Sequence, residues 1–208
     1  MVTDNKELTI NELFVQATQY HKKNNLEAAK ELYGKILQKD NKYISAHNNL
    51  GLIFKNTGQI EKAKICFEKV IEIDSEIADA QNNLGLTFQK SGENEKALDC
   101  FKKSIKINPN YSSAYYNIGS TFHKMEKLEI AKSYYEKAIE IKPDYTEAYN
   151  NLGIIFNQLE ENEKAILYCK KAIDINSSFF NAHYNLGLIF QKIDENEKAI
   201  NCYENAIR

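Results

Sequence analysis

The sequence predicts an all-α protein, a solenoid of six tandem helix-turn-helix repeats. Three observations carry that prediction. An asparagine precedes Leu-Gly or Ile-Gly at Asn49, Asn83, Asn117, Asn151 and Asn185, each 34 residues after the last. A fixed period of that size marks one supersecondary unit copied in tandem. Within each period, residues recur at spacings of three and four in two separate blocks, the pattern of two helices. The 208 residues include two prolines and eight glycines, with Lys, Glu, Ala, Leu and Ile abundant. That composition favours helix throughout.

The elements follow in order. Residues 1–9 (MVTDNKELT) form a polar N-terminal extension that carries acids, unlike a signal or transit peptide. The repeats run 10–43, 44–77, 78–111, 112–145, 146–179 and 180–208, the last incomplete. Position one is therefore Ile10, Ile44, Ala78, Ser112, Thr146 and Phe180. The first block of each repeat carries an aromatic at position 11: Tyr20, Phe54, Phe88, Phe122, Phe156 and Phe190. Turn residues then intervene, as in Asn24-Asn25, Thr57-Gly58, Ser91-Gly92, Glu126-Lys127, Glu160-Glu161 and Asp194-Glu195. The second block keeps alanine at position 20 in all six repeats, from Ala29 to Ala199. At position 24 it reads Tyr33, Phe67, Phe101, Tyr135, Cys169 and Tyr203. It ends near Asp74, Asn108-Pro109, Lys142-Pro143 and Asn176, where proline stops a helix. Each repeat is expected to be a hairpin of about 14 plus 14 residues.

Position eight holds Gly51, Gly85, Gly119, Gly153 and Gly187, with Ala17 in the first repeat. Glycine inside a helix costs about 0.5–1 kcal/mol relative to alanine, so its repeated use needs a return. The expected return is close approach of the two helices, the glycine facing the large residue at position 24. Acids at the start of the second block, as in Glu93-Asn94-Glu95-Lys96, suit the positive end of a helix dipole.

Composition narrows the function. Hydrophobic residues make up 43% of the chain, enough for a core. Net charge is −2 with both signs interspersed, so the basic footprint of a nucleic-acid binder is missing. No apolar run reaches the length of a membrane span, and a cytoplasmic setting is expected.

The small residue at position eight, the aromatics at 11 and 24, the alanine at 20, and proline at 32 in Pro109 and Pro143 resemble the tetratricopeptide repeat family. The likeness covers residues 10–208. It implies that the helix pairs stack into a right-handed superhelix whose first helices line a concave groove. The first repeat departs from the pattern with Gln16 and Ala17, as suits a terminal unit meeting solvent. The sequence stops at Arg208, position 29 of repeat six. Ala199, Ile200, Tyr203, Ala206 and Ile207 are accordingly expected to leave an apolar end. That end reads as a truncation, or as a surface pairing with a partner or a second copy.

Few residues suggest chemistry. Cys66, Cys100 and Cys202 share position 23 and Cys169 takes position 24. Equivalent positions on stacked helices lie about 8–10 Å apart, beyond disulfide reach, so packing thiols are expected. His47 and His183 share position four, where Tyr115 and Tyr149 stand in other repeats, and are read as packing residues. His21 and His123 share position 12 and are candidates for the groove. No metal site, cofactor site, nucleophile elbow or phosphate loop is recognisable, and the chain is expected not to be an enzyme.

By the family fold, positions 2, 5, 6, 9, 12 and 13 face the groove. Position six supplies Asn49, Asn83, Asn117, Asn151 and Asn185. Asparagine is a poor helix former, but its carboxamide matches both the C=O and the N–H of a peptide group. The row is similar to the asparagine ladder in the tetratricopeptide arm of O-GlcNAc transferases, which holds substrate polypeptides. The alternative is that each asparagine satisfies local backbone groups or a neighbouring repeat. Lys55, Lys90, His123 and Lys124 at positions 12–13, with Tyr116 and Tyr184 at position five, complete the candidate peptide-binding set. A carboxylate clamp for peptide C-termini is disfavoured, because Phe14, Thr18 and Asp79 occupy its key positions and only Asn49 matches. The expected function is a non-catalytic protein-interaction scaffold for an extended peptide. The alternative is a substrate-recruiting arm of a larger enzyme such as a protein glycosyltransferase.

Overall fold

The computed structural model describes residues 8–207. Arg208 and residues 1–7 of the polar extension lie outside the described residues. The chain forms two compact units, Met1–Asn108 and Pro109–Arg208.

Unit one contains α1 (Ile10–Lys22), α2 (Leu26–Lys39), α3 (Ile44–Asn56), α4 (Ile60–Ile73), α5 (Ala78–Lys90) and α6 (Asn94–Ile107). Consecutive helices pair as hairpins α1/α2, α3/α4 and α5/α6, and α2 packs on α3 as α4 packs on α5. Unit two repeats the plan with α7 (Ser112–Lys124), α8 (Leu128–Ile141), α9 (Thr146–Gln158), α10 (Asn162–Ile175), α11 (Phe180–Lys192) and α12 (Asn196–Ile207). Every odd-numbered helix begins at position one. The first helices have 13 residues rather than the expected 14, and the second have 14 except α12 with 12.

The chain enters α1 through a capping box. Thr9 Oγ1 accepts from the Glu12 N–H at 3.3 Å and Thr9 N–H donates to Glu12 Oε2 at 2.8 Å. Both are groups that a helix start leaves unpaired. Each hairpin turns through one left-handed residue at position 15: Asn24, Gly58, Gly92, Glu126, Glu160 and Asp194, with φ between 57° and 80°. Gly58 and Gly92 adopt this conformation without cost, whereas a side chain there is strained. Between hairpins, Asp40, Asp74 and Asn176 accept from backbone N–H groups two residues on, at 2.9, 2.9 and 3.1 Å. These Asx turns stop the second helix where no proline does.

The small-against-large pairing holds in five of the six hairpins, and in the fifth Gly153 meets the smaller Cys169. A Cβ placed on Gly51, Gly85, Gly119, Gly153 or Gly187 would come within 2.5–2.9 Å of the side chain at position 24 of the same repeat. In the first repeat Ala17 and Tyr33 fill the same places, both fully buried. Ala29, Ala63, Ala97, Ala131 and Ala165 at position 20 are also fully buried. Unit one holds two buried clusters, one around Leu13, Tyr33 and Ile53 and one around Phe67, Leu84 and Cys100, and unit two holds one around Tyr135, Leu152 and Ile189. Lysines at position 19 cover the outer aromatic: Lys62, Lys96, Lys164 and Lys198 sit 5.3–5.5 Å from the ring centres of Phe54, Phe88, Phe156 and Phe190. Such cation–π contacts add modestly at exposed sites.

The four cysteines are free and buried, as expected of packing thiols. Burial pushes Cys66 and Cys100 up to about 11 and Cys169 up to about 12, so they stay protonated and unreactive. His47 and His183 have a more defined role than packing. Their Nε2 atoms lie 2.9 Å from the backbone carbonyls of Asn41 and Ser177, tying helix to preceding turn. Nε2 must therefore carry the proton.

The apolar end needs correction. Ala199 is buried, and Tyr203 is half-buried over Gly187 and donates to Gln191 Oε1 at 2.8 Å. Ile200 and Ile207 are exposed as expected, at 58% and 84%. Further apolar surface comes from α11, where Phe180, Tyr184 and Leu188 are 53%, 44% and 39% exposed. They recur every four residues, so they form one helical stripe.

Candidate functional site

Equivalent side chains of successive hairpins meet with a one-residue offset. In unit two, Asn151 Nδ2 donates to Tyr116 Oη at 3.1 Å and Asn185 Nδ2 to Asn150 Oδ1 at 2.9 Å. His123 Nε2 lies 3.0 Å from Gln158 Oε1. Lys90 Nζ donates to the Lys55 carbonyl at 2.8 Å, and Lys192 Nζ to the Asn157 carbonyl at 3.1 Å. All five pairs are 35 residues apart. Position five meets position six, and position 12 meets position 13, of the next hairpin. The sequence period of 34 and the structural register of 35 differ because a tilted neighbour presents its next residue.

The asparagines of position six are thus partly engaged within the protein. Asn49 Nδ2 donates to Tyr33 Oη at 3.0 Å, and Asn151 Nδ2 reaches Tyr135 Oη at 3.2 Å as well as Tyr116. Asn117 is buried. Asn83 accepts a long bond of 3.4 Å from Lys55 Nζ. Burial and the neighbouring Lys90 hold Lys55 below the usual lysine range. Lys90 and Lys192 place their charge on carbonyls in the last turns of α3 and α9, where a cation is favourable. Lys124 is exposed.

Tyrosines add a second layer in unit two. The Tyr116 ring stacks on Tyr145 at 5.0 Å and tilts against Tyr135 at 5.4 Å. Burial pushes the Tyr145 hydroxyl up to about 12 and Tyr116 and Tyr135 upward too. They act as neutral donors and acceptors. Tyr184 stacks on Phe180 at 5.9 Å.

In unit one the first helices enclose an open groove of about 560 Å³. Its apolar wall is Phe14, Ile44, Leu52, Val70 and Ile77; its polar wall is Ser45, Asn48, Asn49, Asp79 and Asn83. A concave site of mixed lining is the usual form of a binding pocket. Asn49 and Asn83 meet here, as the repeat pattern implied. Ile44, Val70 and Ile77 were missed. Position 34 is aromatic or aliphatic throughout (Tyr43, Ile77, Tyr111, Tyr145, Phe179), and that regularity could have revealed Ile77. Among the described residues, no three His, Cys, Asp or Glu side chains cluster as a metal site, and no helix is long and apolar enough to cross a membrane.

Tandem helical hairpins with small-against-large interlocks and a groove along their first helices define a repeat scaffold. The chain belongs to the tetratricopeptide repeat family, whose profile matches residues 44–110 and 76–144. A profile described as the Est1 DNA/RNA binding domain matches residues 131–203. That stretch has eight lysines and no arginine against eleven Asp and Glu.

Solved structures share the fold. The pilF protein of Pseudomonas aeruginosa is 19% identical with a TM-score of 0.82, over 93% of this chain and 88% of that one. MamA is 25% identical with a TM-score of 0.67, over 76% and 92%. YrrB, described as a TPR protein with an unusual peptide-binding site, is 22% identical with a TM-score of 0.65, over 86% and 92%. No curated protein matches the chain by sequence.

Proposed function

We propose that the chain is a non-catalytic scaffold that holds an extended peptide along the face of its first helices. The observation that carries this is the unit-one groove, which Asn48, Asn49 and Asn83 line together with Ile44, Leu52 and Ile77. Carboxamides can pair with a peptide's own C=O and N–H while the apolar wall takes a side chain. In unit two, Asn117, Asn151 and Asn185 with Tyr116 and Tyr184 offer the same kinds of group on its own first helices, and Lys124 and His123 favour acidic side chains. Several weak contacts along one peptide add up through effective concentration. Acids exceed lysines in the stretch matching the Est1 profile, which argues against a phosphate-backbone partner. The four buried free thiols suit a reducing cytoplasm.

The test is panning of a phage-displayed random nonapeptide library on the protein, followed by anisotropy with the enriched peptide. Joint replacement of Asn83, Asn117 and Asn151 by alanine in a folded variant should weaken binding at least tenfold. Unchanged affinity would remove the ladder from the site. The same groove would serve a substrate-recruiting arm in a longer polypeptide, which the reading frame beyond Arg208 decides.

A second reading rests on the exposed stripe of Phe180, Tyr184 and Leu188 with Ile200 and Ile207. We propose that two copies pair through it. The exposed apolar residues of the first repeat's α1, Val15 and Tyr20, are five apart among Glu12, Gln16 and Gln19 and form no stripe to match it. Pairing is then symmetric. Sedimentation equilibrium should show dimers that Tyr184→Lys dissolves, and a monomer at all concentrations would end this reading.

A further inference from the structure

Whether an asparagine of the ladder can reach a partner depends on the residue beneath it, at position 24 of the preceding hairpin. Four such pairs lie within one unit. Tyr33 and Tyr135 present hydroxyls to Asn49 and Asn151, which donate to them at 3.0 and 3.2 Å. Phe67 and Cys169, at the equivalent position of the hairpins preceding Asn83 and Asn185, have no hydroxyl. Asn185 spends its Nδ2 on Asn150 Oδ1 at 2.9 Å. Asn83 differs: Lys55 Nζ, which can only donate, holds its Oδ1 at 3.4 Å. The carboxamide is thereby oriented with Oδ1 toward the lysine. Its Nδ2 has no acceptor among the described residues and borders the unit-one groove.

We propose that Asn83 is the rung that reads the partner's backbone in unit one, and that Phe67 and Tyr33 set this choice. Phe67 leaves the Asn83 N–H groups available; the Tyr33 hydroxyl withholds those of Asn49. The occupant is an extended segment whose backbone carbonyl accepts from Asn83 Nδ2. Its neighbouring aliphatic side chain enters between Leu52, Ile77 and Ile44. The ladder therefore reads a register through one hydrogen bond rather than gripping uniformly. This rests on the groove being a peptide site.

Tyrosine is compatible with position 24 beside a small residue, because Tyr33 lies by Ala17 and Tyr135 by Gly119. Phe67→Tyr should therefore fold and present its hydroxyl to Asn83, as Tyr33 does to Asn49. Tyr33→Phe removes a single oxygen and serves as the second variant. The probe is the fluorescein-labelled nonapeptide enriched on the wild-type protein, read by anisotropy. The side-chain amide signals of Asn49 and Asn83 are followed by ¹⁵N NMR.

One neutral hydrogen bond corresponds to about a two- to tenfold change in affinity. Asn83→Ala and Phe67→Tyr should each weaken binding by that factor, and the double variant by no more than either alone. Tyr33→Phe should tighten binding or leave it unchanged while moving the Asn49 amide signal. If Phe67→Tyr shifts the Asn83 signal yet binds as wild type, or if the double variant loses the product of the two factors, the proposed control by position 24 is wrong and the groove reading stands. If no peptide is enriched, or all variants bind alike, the groove reading fails and this inference fails with it.

Discussion

Gly85 in α5 offers the sharpest test of the interlock that builds every hairpin. A methyl group at residue 85 would lie 2.6 and 2.7 Å from Cε1 and Cδ1 of Phe101, whose side chain is fully buried. Carbon atoms in contact rest about 3.5–4.0 Å apart, so the ring must retreat by about 1 Å into a filled core. Overpacking of that kind costs about 1–3 kcal/mol. Alanine in place of a mid-helix glycine returns about 0.5–1 kcal/mol. The net expectation for Gly85→Ala is a loss of up to about 2.5 kcal/mol, or several degrees of melting temperature for a unit of this size.

Gly34 in α2 provides the internal control, because a Cβ there meets nothing within 4 Å. Gly34→Ala should gain about 0.5–1 kcal/mol from helix propensity alone. Urea and thermal unfolding followed by circular dichroism would compare both variants with wild type. Adding Phe101→Leu to Gly85→Ala should cost less than the two single losses together, since contacting residues couple. A Gly85→Ala protein as stable as Gly34→Ala would refute the close-approach explanation of the glycines.

Other perturbations follow from the same structure. Leu152→Ala removes a fully buried side chain and should cost about 2–5 kcal/mol in chemical denaturation; a loss under about half a kcal/mol would place that face outside the core. Glu126→Gly relieves a side chain held at φ 59° and should stabilise by about 1 kcal/mol, visible as a higher urea midpoint. Glu93 accepts from Lys64, Lys96 and Ser91 at 2.6, 2.6 and 2.7 Å, which holds its carboxyl down to about 2 from 4.5. Because the folded pKa is depressed, its contribution is present above pH 4.5 and fades as pH falls from 4.5 toward 2. Glu93→Gln should flatten that part of the stability profile, and an unchanged acid limb would dissociate the cluster from acid unfolding.

Much of the fold is legible in the sequence because its physical causes are local and repeated. Gly51 and Phe67 lie 16 residues apart in one hairpin, so each copy shows both halves of the interlock. The turns at Thr57-Gly58 and Ser91-Gly92 show themselves through glycine. Those at Glu126 and Glu160 use the same left-handed position with a residue type that does not advertise it. The candidate site was legible only in outline. Asn49 and Asn83 look equivalent in the sequence, and both border the groove, but one donates to a tyrosine hydroxyl and the other accepts from Lys55. Lys90 reads as a groove charge, yet its ammonium rests on the Lys55 carbonyl.

The sequence by itself determined the number of repeats, the helix starts and the small-against-large pairs, because each depends on spacing within one hairpin. Tertiary structure alone decided the register of 35 between hairpins and the division of the asparagines into engaged and available. It also decided where apolar surface remains on α11. Those features depend on how a neighbouring hairpin is tilted and what stands beneath each side chain, and no single period of the sequence contains both partners.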